Sequence, residues 1–394
     1  MWGVDEQLME TFFTSNSYAE STRRNYKLAL DDYKRFHESN LEDLLKEAED
    51  EEDAGVKRSR RRINLRITSW KSHLEKRELS PQTIRSYVNA ISTFYNYYDI
   101  RPPKIRNMRG DIGLEHNQGR LLKREEIRKM VDAGDARARA VIYSLALTGL
   151  SQAELRKITI QQLLRSASDA LGRPIRTVED FLDAEKDLND EILTLYITRK
   201  KVHHRFFTFL PPEATRQIIA YLRERLYSEN PNLHPNIDGE VFVKYNGDPI
   251  TAHALREVIV RAGKSAGFQA YKKSAYAWWR GHALRKYFVS TIKNKTGNIE
   301  LAEWLIGHKP RYTDNTYWFK DVEDLKKSYI QALEFLSIDG GRVTDFKSKE
   351  YRDIMKHLEG VSWVLELLDK DPKFREDART ALKRSQKNHD FDIN

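Results

Sequence analysis

With 394 residues, the chain is long enough for two or three domains, each with its own core. It carries 68 Lys and Arg against 59 Asp and Glu, a net charge of +9 that suits an acidic partner such as nucleic acid, on an ordinary globular background of 40% hydrophobic residues. The absence of cysteine excludes disulfides, thiolate catalysis and Cys-ligated zinc, and no stretch approaches the roughly 20 apolar residues of a membrane span. Met1 to Glu6 has neither a basic nor an apolar leader region, so no secretory signal is expected and a cytoplasmic setting is.

Residues 1–110 read as a helical domain. Two segments echo each other: Thr22-Arg23-Arg24-Asn25-Tyr26 leads into apolar residues at helical spacing, and so does Thr83-Ile84-Arg85-Ser86-Tyr87. Each is expected to start at a hydroxyl cap, Ser21 or Thr22 in the first and Ser80 followed by Pro81 in the second. Between them the acidic run Glu47 to Asp53 precedes the basic run Lys57-Arg58-Ser59-Arg60-Arg61-Arg62. This is either a solvated helix with a charge switch, or a helix resting on phosphates with the acidic run turned away. Arg101-Pro102-Pro103 ends the region, and residues 111–120 read as a linker.

A second domain is expected over residues 121–339. Lys123-Arg124-Glu125-Glu126 opens a helix, Ala138 to Leu150 forms an apolar one broken at Thr148-Gly149-Leu150, and Ser151-Gln152-Ala153-Glu154 is a capping box. The stretch 165–190 is polar and reads as an insertion. Ile192 to Ile197 and Arg205 to Leu210 read as a β-hairpin, and Pro211-Pro212-Glu213 starts another helix. After the break at Asp339-Gly340-Gly341, residues 340–394 read as an amphipathic helical extension, packed either on its own domain or on a neighbouring protomer. The predicted class is mainly α (α+β), with one small β-hairpin.

The second domain also holds the residue types that phosphodiester exchange needs without metal, nucleotide or other cofactor: an oxygen nucleophile, cations, an acid for the leaving oxygen and a proton acceptor. In chain order these are Lys201 on the hairpin, His282-Ala283-Leu284-Arg285, His308 in Ile306-Gly307-His308, and Tyr317 in Asn315-Thr316-Tyr317-Trp318. His308 lies 26 residues after His282, and Tyr317 lies 9 residues after His308. This order and spacing resembles the tyrosine recombinase (integrase) family of phage-integrase and Xer-like enzymes. Leu147-Thr148-Gly149-Leu150 with Glu154 resembles that family's first box, and Ser80-Pro81-Gln82-Thr83-Ile84 its helical core-binding domain.

The resemblance implies a C-shaped clamp on double-stranded DNA, active as a tetramer on paired recombination sites. It implies Tyr317 as the nucleophile forming a 3′-phosphotyrosine, Arg285 as a clamp on the phosphate, Lys201 as the acid, and His282 and His308 as phosphate ligands, with His282 also a candidate proton acceptor. Tyr312 competes with Tyr317, and Lys200 with Lys201, whose strand neighbours face opposite sides. His253-Ala254-Leu255-Arg256 repeats the tetrapeptide but lies 55 residues before His308.

One position departs from the family. Where it has an arginine directly after Thr-Gly-Leu, this chain has Ser151. Arg156 does not replace it by helical geometry, being rotated by about 140° and displaced by about 7.5 Å. Three readings follow: a cation comes from another element, the enzyme is slow until assembled, or the protein binds its site without cutting. A type IB topoisomerase-like activity is a further alternative.

Overall fold

The computed structural model describes residues 4–103, 120–199, 204–270, 277–308 and 321–340. The chain divides into two compact units, Met1–Gly119 and Arg120–Asn394.

The described part of the first unit is five helices: α1 (Val4–Ser15), α2 (Glu20–His37), α3 (Leu41–Asp53), α4 (Arg62–Lys76) and α5 (Pro81–Tyr97). Their apolar faces meet in an aromatic core around Phe12, Tyr33, Trp70, Phe94 and Tyr95. The echoed segments are α2 and α5, which pack together and are tied by Asn25 Nδ2 donating to Ser86 Oγ at 2.9 Å. Ser80 caps α5 as expected, accepting from the Thr83 N–H, with Pro81 at the first helical position. Helix α2 differs. It begins at Glu20 after Ala19, with no side-chain cap, so Ser21 and Thr22 lie inside it. Tyr18, packed on Phe12 and Tyr26, anchors the chain one turn early, and Glu20 suits the positive end of the helix.

The acidic run pairs with the basic one. Glu47, Glu51 and Glu52 lie in the last two turns of α3, where the helix dipole disfavours carboxylates. Arginines at the start of α4 compensate. Arg61 pairs with Glu52 at 3.0 Å, Arg62 with Glu51 at 3.4 Å, and Arg66 makes a two-pronged contact with Glu47. The Arg66 hydrogen bond holds the Glu47 carboxyl below the usual carboxylate range. Lys57, Arg58 and Arg60 remain exposed on a single 3-10 turn before α4.

The second unit is built around α7 (Ala136–Thr148), which is buried on nearly every side. Against it pack α6 (Arg124–Asp132), β2 (His204–Leu210), α12 (Pro212–Leu226), α13 (Ala252–Ser265) and α14 (Gly281–Thr296). The hairpin has the expected form: β1 (Leu193–Arg199) runs antiparallel to β2, with Leu193 opposite Leu210 and Arg199 opposite His204. The short α15 (Ile299–Leu305) packs on β2, and α16 (Val322–Leu336) on α14. Arg124 and Arg128 of α6 donate to the carbonyls of Glu334, Phe335 and Ile338, closing the unit end to end.

The polar stretch 165–190 contributes to the core. It holds most of α9 (Ile160–Leu171), then α10 (Val178–Asp183) and α11 (Glu185–Leu188), with capping boxes at Thr159 and Thr177. Phe181, Leu182 and Leu188 are buried in the main core. Short helices expose one full face, so their composition is polar although each contributes an apolar edge. The proposed tail, apart from Gly340, lies outside the described residues.

Candidate active site

The site begins where α7 ends. Gly149 takes up the left-handed conformation at φ +68° and stops the helix. The final carbonyls of α7 have no partner within the helix and lie in the interior, so other elements must supply donors. Tyr329 of α16 donates to Leu147 O at 2.6 Å, Thr208 of β2 to Thr148 O at 2.7 Å, and Arg285 of α14 to Gly149 O. A cation at the negative end of a helix is favourable as well as bonded. The same guanidinium donates at 2.8 Å to Ile306 O, just past the end of α15. Arg285 thus spans two helix C-termini that are far apart in sequence.

His282 and Arg285 sit three residues apart on α14 and share a face. Gly281 allows that helix start to approach the first box, since a Cβ there would meet the Gln152 side chain at 2.7 Å. His282 is exposed, and its imidazole is held below the usual histidine range. Partial withdrawal from water lowers it first, and the charges of Lys286, Arg280 and Arg285 add to this. It is therefore neutral, and able to accept a proton, down to lower pH than an ordinary histidine.

The first box forms the predicted capping box on α8 (Gln152–Leu155): Ser151 Oγ accepts from the Glu154 N–H, and Glu154 accepts from the Ser151 N–H at 2.7 Å. The Glu154 side chain is only 8% exposed. Burial pushes its carboxyl up, but the hydrogen bonds from Arg199 and the Ser151 N–H outweigh this and hold it below the usual range. It is a carboxylate with no proton to give. Arg156 points elsewhere, as helical geometry requires, and donates to Ile250 O at 3.2 Å.

Gly307, at φ +67°, turns the chain out of α15 so closely over Phe206 that a Cβ would lie 2.6 Å from its ring. His308 follows with its ring exposed and its Nδ1 engaged by Glu303, which also binds Lys293. That contact leaves Nε2 as the nitrogen facing any further ligand. Lys201, with its competitor Lys200, and Tyr317, with its competitor Tyr312, lie outside the described residues. In the repeated tetrapeptide, His253 and Arg256 pair with each other at 3.1 Å on an exposed face of α13.

No model of a known protein family matches the sequence. Tyrosine recombinase XerC of Halalkalibacterium halodurans is 21% identical over 146 residues, which are 36% of this chain and 45% of XerC, so the match spans less than half the length of that relative. Among solved structures, XerH recombinase bound to its palindromic difH substrate is 17% identical, covering 82% of this chain and 83% of that one, with a TM-score of 0.49. The Tn1549 transposon integrase, in complex with circular intermediate DNA, is 14% identical and covers 83% of this chain and 98% of that one, with a TM-score of 0.51. The chain thus shares the fold of the Tn1549 transposon integrase.

Within that fold, one residue of the site was not picked out from the sequence. Arg199, the last residue of β1, donates through Nε to Glu154, through Nη1 to Gly307 O at 2.6 Å and through Nη2 to Ile306 O at 2.7 Å. A signal for it existed. Strand alternation puts Arg199 on the same side as Leu193, Leu195 and Ile197, the buried face, where a charge must find partners.

Proposed function

We propose that the chain is a site-specific DNA recombinase, or integrase, that cleaves and rejoins duplex DNA through a covalent 3′-phosphotyrosine at Tyr317. One observation carries this reading: Arg285 bonds Gly149 O and Ile306 O at once, joining the Thr148-Gly149-Leu150, His282–Arg285 and Gly307-His308 boxes at one place. Capping two helix ends accounts for the bonds themselves, but not for their bringing together three motifs spread over more than half of the second unit.

In the proposed reaction Tyr317 Oη attacks the scissile phosphorus and its proton passes to His282. The phosphorus–O5′ bond breaks, and Lys201 protonates the leaving 5′-oxygen. Arg285 balances the charge on the non-bridging oxygens, which its planar fork suits, and His308 adds a hydrogen bond. The tyrosyl ester conserves the diester bond, so the reverse attack by a 5′-hydroxyl rejoins the strand with no metal or ATP. Exposed Lys57, Arg58 and Arg60 in the first unit supply phosphate contacts, and self-association into a tetramer on paired sites supplies the second partner strand.

The test is covalent capture. Nicked duplexes from a randomised pool are incubated with protein in EDTA and resolved on a denaturing gel. A metal-independent adduct that disappears in Tyr317→Phe is the expected result. An adduct surviving in that variant would remove Tyr317 as nucleophile. Tight binding with no adduct would favour the alternative that Ser151 motivates, a protein that binds its site without cutting.

The lowered basicity of His282 adds a pH expectation. Its neutral form is the proton acceptor, so cleavage should persist below the ordinary histidine value of about 6.5 and fall only as pH drops through the lowered value. Adduct formation measured from pH 5 to 8 should show an acidic limb below about 6.5. A limb above that value would argue against His282 as the acceptor.

A further inference from the structure

The charge around Glu154 is unbalanced. Two guanidiniums, those of Arg199 and Arg285, bind one carboxylate and share one carbonyl, Ile306 O. Arg285 lies below the usual arginine range first because it is buried, and the charge of Arg199 lowers it further while Glu154 opposes this. Neither position is explained by stability alone. A partly buried ion pair contributes little compared with a well-packed apolar side chain, and the face of β1 that carries Arg199 is otherwise Leu193, Leu195 and Ile197. Nor does Arg285 need Glu154 as a partner, since it already has two carbonyl acceptors. The Arg199 side chain is 22% exposed, so a ligand can reach it, and it keeps N–H donors beyond those used by Glu154, Ile306 and Gly307.

We infer that Arg199 is the second phosphate-binding cation of the site, supplying from the end of β1 the charge that Ser151 lacks. The inference rests on the phosphoryl-transfer reading above. Ser151 and Arg199 meet the same residue: the Ser151 N–H donates to Glu154 Oε2, and Arg199 Nε to Glu154 Oε1. An arginine side chain starting at 151 therefore starts beside the carboxylate that Arg199 occupies. A transition state with more negative charge than the ground-state diester gains from a second preorganised donor, which a single arginine cannot supply.

Two measurements, made in parallel, test this. The first is the rate of adduct formation on the duplex recovered by covalent capture. Arg199→Gln should reduce it roughly 10²–10³-fold, Arg199→Lys less, and adding Ser151→Arg to Arg199→Gln should restore at least about tenfold. A purely structural arginine predicts no such restoration. The second uses tungstate, a tetrahedral oxyanion, without DNA. It should raise the melting temperature of the wild-type protein and of Arg199→Lys, but much less that of Arg199→Gln, each compared with its own tungstate-free value. If the wild type forms adduct and Arg199→Gln forms it equally fast, the inference is overturned while the recombinase reading stands. If the wild type forms no adduct, the recombinase reading fails and tungstate decides alone: an equal shift in wild type and Arg199→Gln overturns the inference, and a shift lost in Arg199→Gln sustains the anion site.

Discussion

Arg285→Lys should slow strand cleavage by on the order of 10²-fold or more while leaving DNA binding in place. The guanidinium of Arg285 reaches Gly149 O and Ile306 O through two different nitrogens and still faces Glu154 at 3.5 Å. A lysine ammonium is a single point on a flexible stem and cannot hold both helix ends in one plane. Ile306 O keeps its donor from Arg199, but where the ammonium does not reach Gly149 O that carbonyl is left without Arg285's donor in a place where the native side chain is only 13% exposed, which costs on the order of 1–3 kcal/mol of stability as well. Single-turnover adduct formation with saturating duplex, read beside a gel-shift titration, separates the two effects. A normal rate with weakened binding would mean that Arg285 holds the helix ends together but does not act on the phosphate.

Gly149→Ala should destabilise the second unit by about 2–5 kcal/mol, combining left-handed strain with overpacking. The strain follows from φ +68°, and the overpacking from a new Cβ placed 2.4 Å from the Phe288 ring and 3.0 Å from Ile306. Gly172→Ala is the matched control. Its φ is +65°, but nothing lies within 4 Å of a Cβ there, so only the strain of about 1–2 kcal/mol applies. Thermal unfolding of both variants should therefore show a clearly larger loss at 149. Equal losses would mean that the Phe288 side moves aside at no cost. Because Gly149 O is also an acceptor for Arg285, the same substitution should slow cleavage, whereas Gly172→Ala should not.

The elements that local chemistry controls were legible in the sequence. The capping box at Ser151 and the hydroxyl cap at Ser80 need only residues three apart, and the hairpin needs only alternation and two matched runs. The spacing of His282, Arg285 and His308 is likewise a property of the chain, and so was the resemblance that implied the fold seen here. Local signals failed where a distant partner outweighed them. Helix α2 starts at Glu20 rather than at a hydroxyl cap because Tyr18 is held by Phe12 and Tyr26. The acidic run of α3 faces the arginines of α4 because carboxylates at a helix C-terminus need nearby cations, and only the packing of α3 on α4 says which ones. Helices α10 and α11 looked like a polar insertion because so few of their residues are buried, yet those few complete the core.

The sequence by itself determined which residue types are available for phosphoryl transfer, in what order, and that an arginine is missing at 151. Only the tertiary structure decided that Arg199 and Arg285 meet at Glu154, since those three residues lie on a strand end, a helix start and a separate helix, and long-range packing alone sets the distances between them.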